Sequence, residues 1–151
     1  MDISVDIIDC NDAQVVSRLK QIEKQAFGDA GLDEWNLVPL IRHGMVMAMK
    51  CGGKVIGGAQ FIRDWRDSSR AYLVGIAVDS DYRGNGLGTR FLRACLDLLK
   101  AQDIRCAELT VDPANYGAVK VYEKKLFFRT VEKRKDEYGP GEDRLVMEID
   151  L

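Results

Sequence analysis

A chain of 151 residues, 46% apolar and 30% charged, has the size and composition of one folded globular domain spanning residues 1–151. Its formal charge of −2 argues against a bulk nucleic-acid binder, and no stretch approaches the roughly 20 apolar residues that a membrane span needs. The opening Met1-Asp2-Ile3-Ser4-Val5-Asp6 resembles neither a signal peptide nor a basic transit sequence, so a cytoplasmic protein with no nucleic-acid or membrane partner is expected.

Ile3–Asp9 alternates apolar and polar residues and predicts a strand. Asn11 or Asp12 can cap a helix running to about Gln25, with Val15, Leu19 and Ile22 on one face. Gly28–Gly31 breaks it, and a shorter helix is expected over Asp33–Arg42 despite Pro39. Met45–Cys51 and Lys54–Asp64 read as two strands joined at Gly52-Gly53, a hairpin signal. Arg70–Val78 is a third strand, and Gly75 within it suggests a bulge or a close backbone approach. Leu87–Gln102 carries helical spacing, Arg105–Val111 alternates as a strand, and Ala114–Lys125 reads as a helix. Phe127–Lys135 and Arg144–Ile149 complete the chain as strands flanking Gly139-Pro140-Gly141. The order is β-α-α-β-β-β-α-β-α-β-β, a mixed α+β domain. Its central strand–helix–strand needs a parallel crossover within a mostly antiparallel sheet flanked by helices.

Few residues offer metal or nucleophile chemistry. His43 is the single histidine, which rules out a multi-histidine site, and no metal is expected. Cys10, Cys51, Cys95 and Cys106 form no CxxC pair and read as reduced, mostly buried thiols. Charge is uneven. Residues 120–135 hold seven Lys/Arg against two Glu, either a solvated face or a positive rim that attracts an anion.

The strongest chemical feature joins the third central strand to the next helix. It reads Asp79-Ser80-Asp81-Tyr82-Arg83-Gly84-Asn85-Gly86-Leu87-Gly88-Thr89. A helix start offers unpaired N–H groups and partial positive charge, glycines let a phosphate approach, and Arg83 adds a cation. The segment lacks GxxxxGK[ST], so it is no Walker loop. Its GxGxG spacing also departs from the GxGxxG of dinucleotide-binding oxidoreductases.

Val78 through Gly88 resembles the signature of the GNAT superfamily of acyl-CoA-dependent N-acyltransferases: Arg or Gln, two residues, Gly, one residue, then Gly or Ala. Arg83, Gly86 and Gly88 occupy it. Leu109–Asn115, Ala118 and Tyr122-Glu123-Lys124 resemble the family's second cofactor segment, and the order of elements is that of a GNAT-like fold. The resemblance implies acetyl-CoA as donor and a primary amine as acceptor, either a small molecule or a peptide N-terminus or lysine. Transfer would be direct, within a ternary complex. It also implies that the pantetheine arm pairs with the backbone of Ile76, Ala77 and Val78. The pyrophosphate would sit on amides of Arg83, Gly84, Asn85, Gly86, Leu87, Gly88 and Thr89. Asn115 matches the position that contacts the pantetheine arm, with a helix cap as its ordinary alternative. Tyr122 matches the tyrosine near the cofactor sulfur, where a phenol can protonate the leaving thiolate.

The amine must also lose a proton, which points to a carboxylate. Thr110 stands where some family members carry one. Glu108 is therefore the first choice, followed by Asp79 and then Glu34. Phe127-Phe128 replaces the usual Gly-Phe, which is expected to alter the helix cap because Phe is costly at positive φ. The acceptor is expected at Gly28–Arg42 and the Tyr138–Asp143 loop. Ala26-Phe27, Trp35 and Tyr138 faintly resemble ribosomal-protein alanine N-acetyltransferases. Trp35 is expected to pack partly buried. A non-catalytic acyl-CoA sensor is the alternative, and the oligomeric state is left open, a homodimer included.

Overall fold

Strands and helices follow one another in the expected order in a computed structural model that describes residues 2–151. They are β1 (Ile3–Ile8), α1 (Ala13–Phe27), α2 (Glu34–His43), β2 (Met45–Cys51), β3 (Lys54–Arg63), β4 (Arg70–Val78), α3 (Leu87–Ala101), β5 (Cys106–Val111), α4 (Tyr116–Lys120), β6 (Arg129–Arg134) and β7 (Arg144–Asp150). The strands form one mixed sheet in the order β1-β2-β3-β4-β5-β7-β6. β4 and β5 run parallel, as the crossover through α3 requires. The pairs β1–β2, β2–β3, β5–β7 and β6–β7 are antiparallel. Among the described residues no helix is long and apolar enough to cross a membrane.

The backbone clusters into two units. The first runs to Ile62 and includes Val74–Cys95; the second comprises Arg63–Leu73 and Leu96–Leu151. In the first, Asp12 caps α1 by accepting the N–H groups of Gln14 and Val15, and Gly28 ends the helix at a φ of 60°. Asp33 and Asn36 form a reciprocal capping box on α2. Val16, Leu19, Ile22, Leu37 and Ile41 from these helices bury against Ile8, Val46, Ala48, Val55 and Ala77. Each Val, Leu or Ile among them contributes about 1.5–3 kcal/mol when fully buried. Two successive glycines in β3 explain how closely helices approach. A Cβ on Gly58 would stand 2.7 Å from Leu19 of α1, and one on Gly57 would stand 3.1 Å from the Phe91 ring of α3. Neighbouring strand residues face opposite sides of the sheet, so the pair admits one helix on each side.

In the second unit, the β5 alternation is as expected. Ala107, Leu109 and Val111 are buried, and Glu108 and Thr110 on the other face are half-buried. Leu109 pairs with Met147 of β7. Edge strand β6 is exposed along almost its whole length, charged, and bulged between Thr130 and Glu132, which suits an edge that must not recruit another strand.

Three expectations are corrected. The helix read as Ala114–Lys125 begins at Tyr116 and passes into a π-helical turn over Val121–Lys125. The strand read as Phe127–Lys135 begins only at Arg129, because Phe127 adopts a φ of 63° and turns the chain first. Trp35 is 82% exposed, because it sits just after the α2 cap on the helix's outer side, away from Leu37 and Ile41. All four cysteines are free; Cys95 and Cys106 are buried, Cys51 is half-buried and Cys10 is exposed.

Candidate active site

Strand β4 ends at Val78, a 3-10 turn follows over Ser80–Tyr82, and the glycine loop then enters α3. Gly84 and Gly86 hold φ angles of 84° and 70°, values that only glycine adopts without strain. A Cβ added at Gly84, Gly86 or Gly88 would meet nothing within 4 Å, so open space lies directly over this backbone. The first helical bond runs from the Arg90 N–H to the Gly86 carbonyl at 3.1 Å. The N–H groups of Leu87, Gly88 and Thr89 precede it and have no intrahelical acceptor. Exposed donors, the positive end of a 15-residue helix and missing side chains are together what an anion cradle requires. Arg83 is exposed, and its Nε donates to the Val78 carbonyl at 3.0 Å, which holds the guanidinium beside the loop. Asn85 Nδ2 donates to the Tyr82 carbonyl at 3.4 Å.

Upstream of the loop, Ala77 and Val78 are buried and Ile76 is half-buried. Of the two reasons expected for Gly75, a close approach is present: a Cβ there would stand 3.2 Å from Gln60 Oε1. That oxygen is buried and has no hydrogen-bond partner among the described residues. Asp79 is buried and engaged. One oxygen accepts the Asp81 N–H at 2.9 Å and caps the 3-10 turn, and the other pairs with Arg18. The Asp81 N–H and the Arg18 guanidinium hold the Asp79 carboxyl below the usual carboxylate range. Arg18 also donates to the Val55 carbonyl at 2.8 Å, so it fastens α1 to the turn that leads into the cradle.

In the second unit, Asn115 is exposed and caps α4, its side chain accepting the Ala118 N–H at 3.2 Å. The π-helical turn places Tyr122 half-buried, with its ring tilted against Phe128 at a centroid distance of 6.0 Å. The Leu126 N–H reaches back five residues to the Val121 carbonyl, and the Phe128 N–H reaches the Tyr122 carbonyl at 2.9 Å. Phe127 therefore takes up the left-handed turn normally left to glycine, with its side chain 76% exposed. Burial pushes the Tyr122 phenol up, so it stays protonated at neutral pH.

The three carboxylates expected as bases have different surroundings. Glu34 is exposed and paired with Lys20 at 2.8 Å, and that hydrogen bond holds it below the usual carboxylate range. Asp79 is committed to Arg18. Glu108 is half-buried on β5 and accepts from Arg70 at 3.0 Å; Arg70 also reaches Glu148 at 2.8 Å. Arg70 depresses the Glu148 carboxyl, and Glu148 in turn raises the guanidinium. Beside them, the Tyr72 hydroxyl hydrogen-bonds Thr110 Oγ1 at 2.8 Å. Burial raises the Tyr72 phenol, with Tyr138 and the nearby Glu108 charge adding to the effect. Arg144 lies over the Tyr138 ring at 5.0 Å. Arg70, Tyr72 and Tyr138 thus cluster with Glu108 and Thr110, two β5 positions already singled out in the sequence. Arg70 and Tyr72 themselves were missed, although their i, i+2 spacing on β4 places them on one face.

Comparison with known proteins converges on one family. The profile described as the acetyltransferase (GNAT) family matches residues 15–128. An N-alpha-acetyltransferase of Saccharolobus solfataricus is 38% identical over 80 residues, covering 52% of this chain and 47% of the relative. An N-terminal acetyltransferase complex ARD1 subunit homolog of Dictyostelium discoideum is 30% identical over 100 residues, covering 66% of this chain and 49% of the relative. The chain spans about half the length of the curated relatives it matches. In fold it is similar to the crystal structure of the ribosomal-protein-S18-alanine N-acetyltransferase from Escherichia coli, with a TM-score of 0.78 and 23% identity over 97% of this chain and 94% of that one. The match over residues 15–128 accordingly shows that this chain belongs to the GNAT acetyltransferase family.

Proposed function

We propose that the protein transfers an acetyl group from acetyl-CoA to a primary amine, with the α-amine of a peptide as the favoured acceptor. The observation that carries the donor half is the cradle: two positive-φ glycines and open space over Gly84, Gly86 and Gly88 at the start of α3. These residues fit a pyrophosphate. Arg83, Gly84, Asn85, Gly86, Leu87, Gly88 and Thr89 would hold it, with Ile76, Ala77 and Val78 pairing with the pantetheine arm and Asn115 contacting it.

The acceptor half rests on chemistry. A free amine attacks the thioester carbonyl, a C–N bond forms, and the C–S bond breaks. Tyr122, kept neutral by burial, is suited to donate a proton to the departing thiolate. The proton released by the amine passes to Glu108, directly or through water. Glu108 also pairs with Arg70, but through one oxygen and half-buried beside Tyr72 and Thr110; it is favoured because both oxygens of buried Asp79 are engaged, by the Asp81 N–H and Arg18, and Glu34 is exposed beside Lys20. The peptide α-amine is favoured because the relatives are named for acting at N-termini. An α-amine, with a pKa near 8, also needs less help to lose its proton than a lysine near 10.4.

The test is a panel of short peptides differing in their first residue, run beside lysine side chains and small amines, with acetyl-CoA as donor. Acetylation of peptide α-amines is expected. Acetyl-CoA binding with no transfer to any amine would replace this account with a sensor domain.

A further inference from the structure

We infer that Arg70 is a positioning residue for the proposed base: its guanidinium holds the Glu108 carboxylate by one oxygen, Oε1, and so reserves Oε2 for the proton of the acceptor amine. The inference deepens the acetyl-transfer reading above and rests on its assignment of Glu108 as base. Strand register brings the groups together. Tyr72 of β4 is the register partner of Glu108 on β5, Glu108 is that of Glu148 on β7, and Glu148 is that of Arg129 on β6. One row of side chains therefore crosses four strands on one face, and Arg70, two residues before Tyr72, lies on that face. Within the row, Glu108 and Glu148 are like charges directly opposite each other on antiparallel strands, an unfavourable pairing. Arg70 is the cation that resolves it. Its Nη2 donates to Glu108 Oε1 at 3.0 Å and to Glu148 Oε2 at 2.8 Å.

The two carboxylates are not held alike. Arg129 Nη2 donates to the remaining oxygen of Glu148, Oε1, at 2.9 Å, so both Glu148 oxygens are engaged. Among the described residues no side chain donates to Glu108 Oε2. Glu148 thus anchors Arg70, and Arg70 orients Glu108. The side chains of Arg70, Glu108 and Glu148 are 26%, 22% and 17% exposed, so these bonds are screened less than those of surface pairs. A general base works only with a lone pair held within reach of the proton it takes. An unattached glutamate samples many rotamers, and a half-buried, charge-assisted bond at one oxygen removes most of that freedom. Arg70 also divides one donor nitrogen between two acids, and the bond to Glu148 is the shorter.

A double-mutant cycle in the full chain tests this, with the best acceptor of the panel at saturation. Glu108→Gln is expected to lower kcat about 100-fold or more, and Arg70→Met about 10-fold or more. The acetyl-CoA Kd from calorimetry should change less than about 2-fold in both. Because Arg70 acts through Glu108, adding Arg70→Met to Glu108→Gln is expected to lower kcat less than about 2-fold further. Arg70→Met leaves two carboxylates face to face, so a lower Tm is expected as well. Arg70→Met/Glu148→Gln removes the facing charge and should recover Tm but not kcat. Parental kcat in Arg70→Met, an equal further loss in the Glu108→Gln background, or kcat recovering with Tm in Arg70→Met/Glu148→Gln would overturn the positioning role. Parental kcat in Glu108→Gln would instead overturn the base assignment, and absence of transfer by the parent protein the acetyl-transfer reading itself.

Discussion

Tyr122 carries the sharpest prediction at the level of single residues. Tyr122→Phe is expected to lower kcat roughly 10- to 1000-fold while leaving acetyl-CoA affinity nearly intact, read by thiol release and calorimetry. Burial raises this phenol, so its protonated form persists past the ordinary tyrosine pKa. The rate should therefore rise as the acceptor amine deprotonates, near pH 8 for a peptide, and show no alkaline fall below about pH 10. An alkaline limb near pH 8 that vanishes in Tyr122→Phe would contradict that assignment. Phe127 offers a test of strain. It holds a φ of 63° with its side chain mostly in solvent, so Phe127→Gly removes strain and little packing. Against the extra unfolded-state freedom of glycine, a net gain of up to about 1 kcal/mol is expected in denaturant unfolding. Phe127 was flagged in the sequence because the family has glycine there. The sequence did not show that the helix before it would widen into a π turn, since five-residue reach-back bonds leave no periodic signature. Glu23, a carboxylate on the apolar face shared by Leu19 and Ile22, is legible as an exception to the pattern and is only 3% exposed in the fold. Arg18 carried none, because its partners Val55 and Asp79 lie on other elements far along the chain.

Elements rather than residues make the cradle. A strand end, a capped 3-10 turn and a helix start are held in place by Arg18 and Asp79, of which only the helix start was legible locally. Gly88→Val tests the cradle cleanly. Gly88 has no positive φ, and its Cβ would meet no protein atom, so the variant should fold with an unchanged Tm. It is nevertheless expected to lose most acetyl-CoA affinity, because the new side chain fills the space over the amides. Retained affinity would make the loop a turn only. Arg18→Met tests the anchor. It strands a buried Asp79 carboxylate, at a cost of about 3 kcal/mol, the low end for a broken buried pair because Arg18 is partly exposed. The sign follows from the depressed Asp79 pKa. The pair's stabilisation is present above the unfolded-state value near 3.9 and is lost as pH falls through the lower folded-state value. The gap between parent and variant in denaturant unfolding should therefore hold at neutral pH and shrink in acid.

For the whole molecule, the strand and helix order was legible because hydrophobic periods and glycine breaks mark each element, and the parallel β4–β5 pairing followed from the crossover. Sheet order was not, since β7 lies between β5 and β6 by long-range pairing alone. The donor was legible because a phosphate is read by backbone and glycine, both local. The proposed acceptor side was not, because Glu108, Tyr72 and Thr110 come together only in the folded second unit. The most direct test is therefore transfer itself: acetyl-CoA with the peptide and amine panel, following free thiol and the mass of the acceptor together. The account predicts thiol release matched by acetylation of a peptide α-amine. Tight binding of a nicotinamide or flavin nucleotide, with neither acetyl-CoA binding nor thiol release, would contradict it.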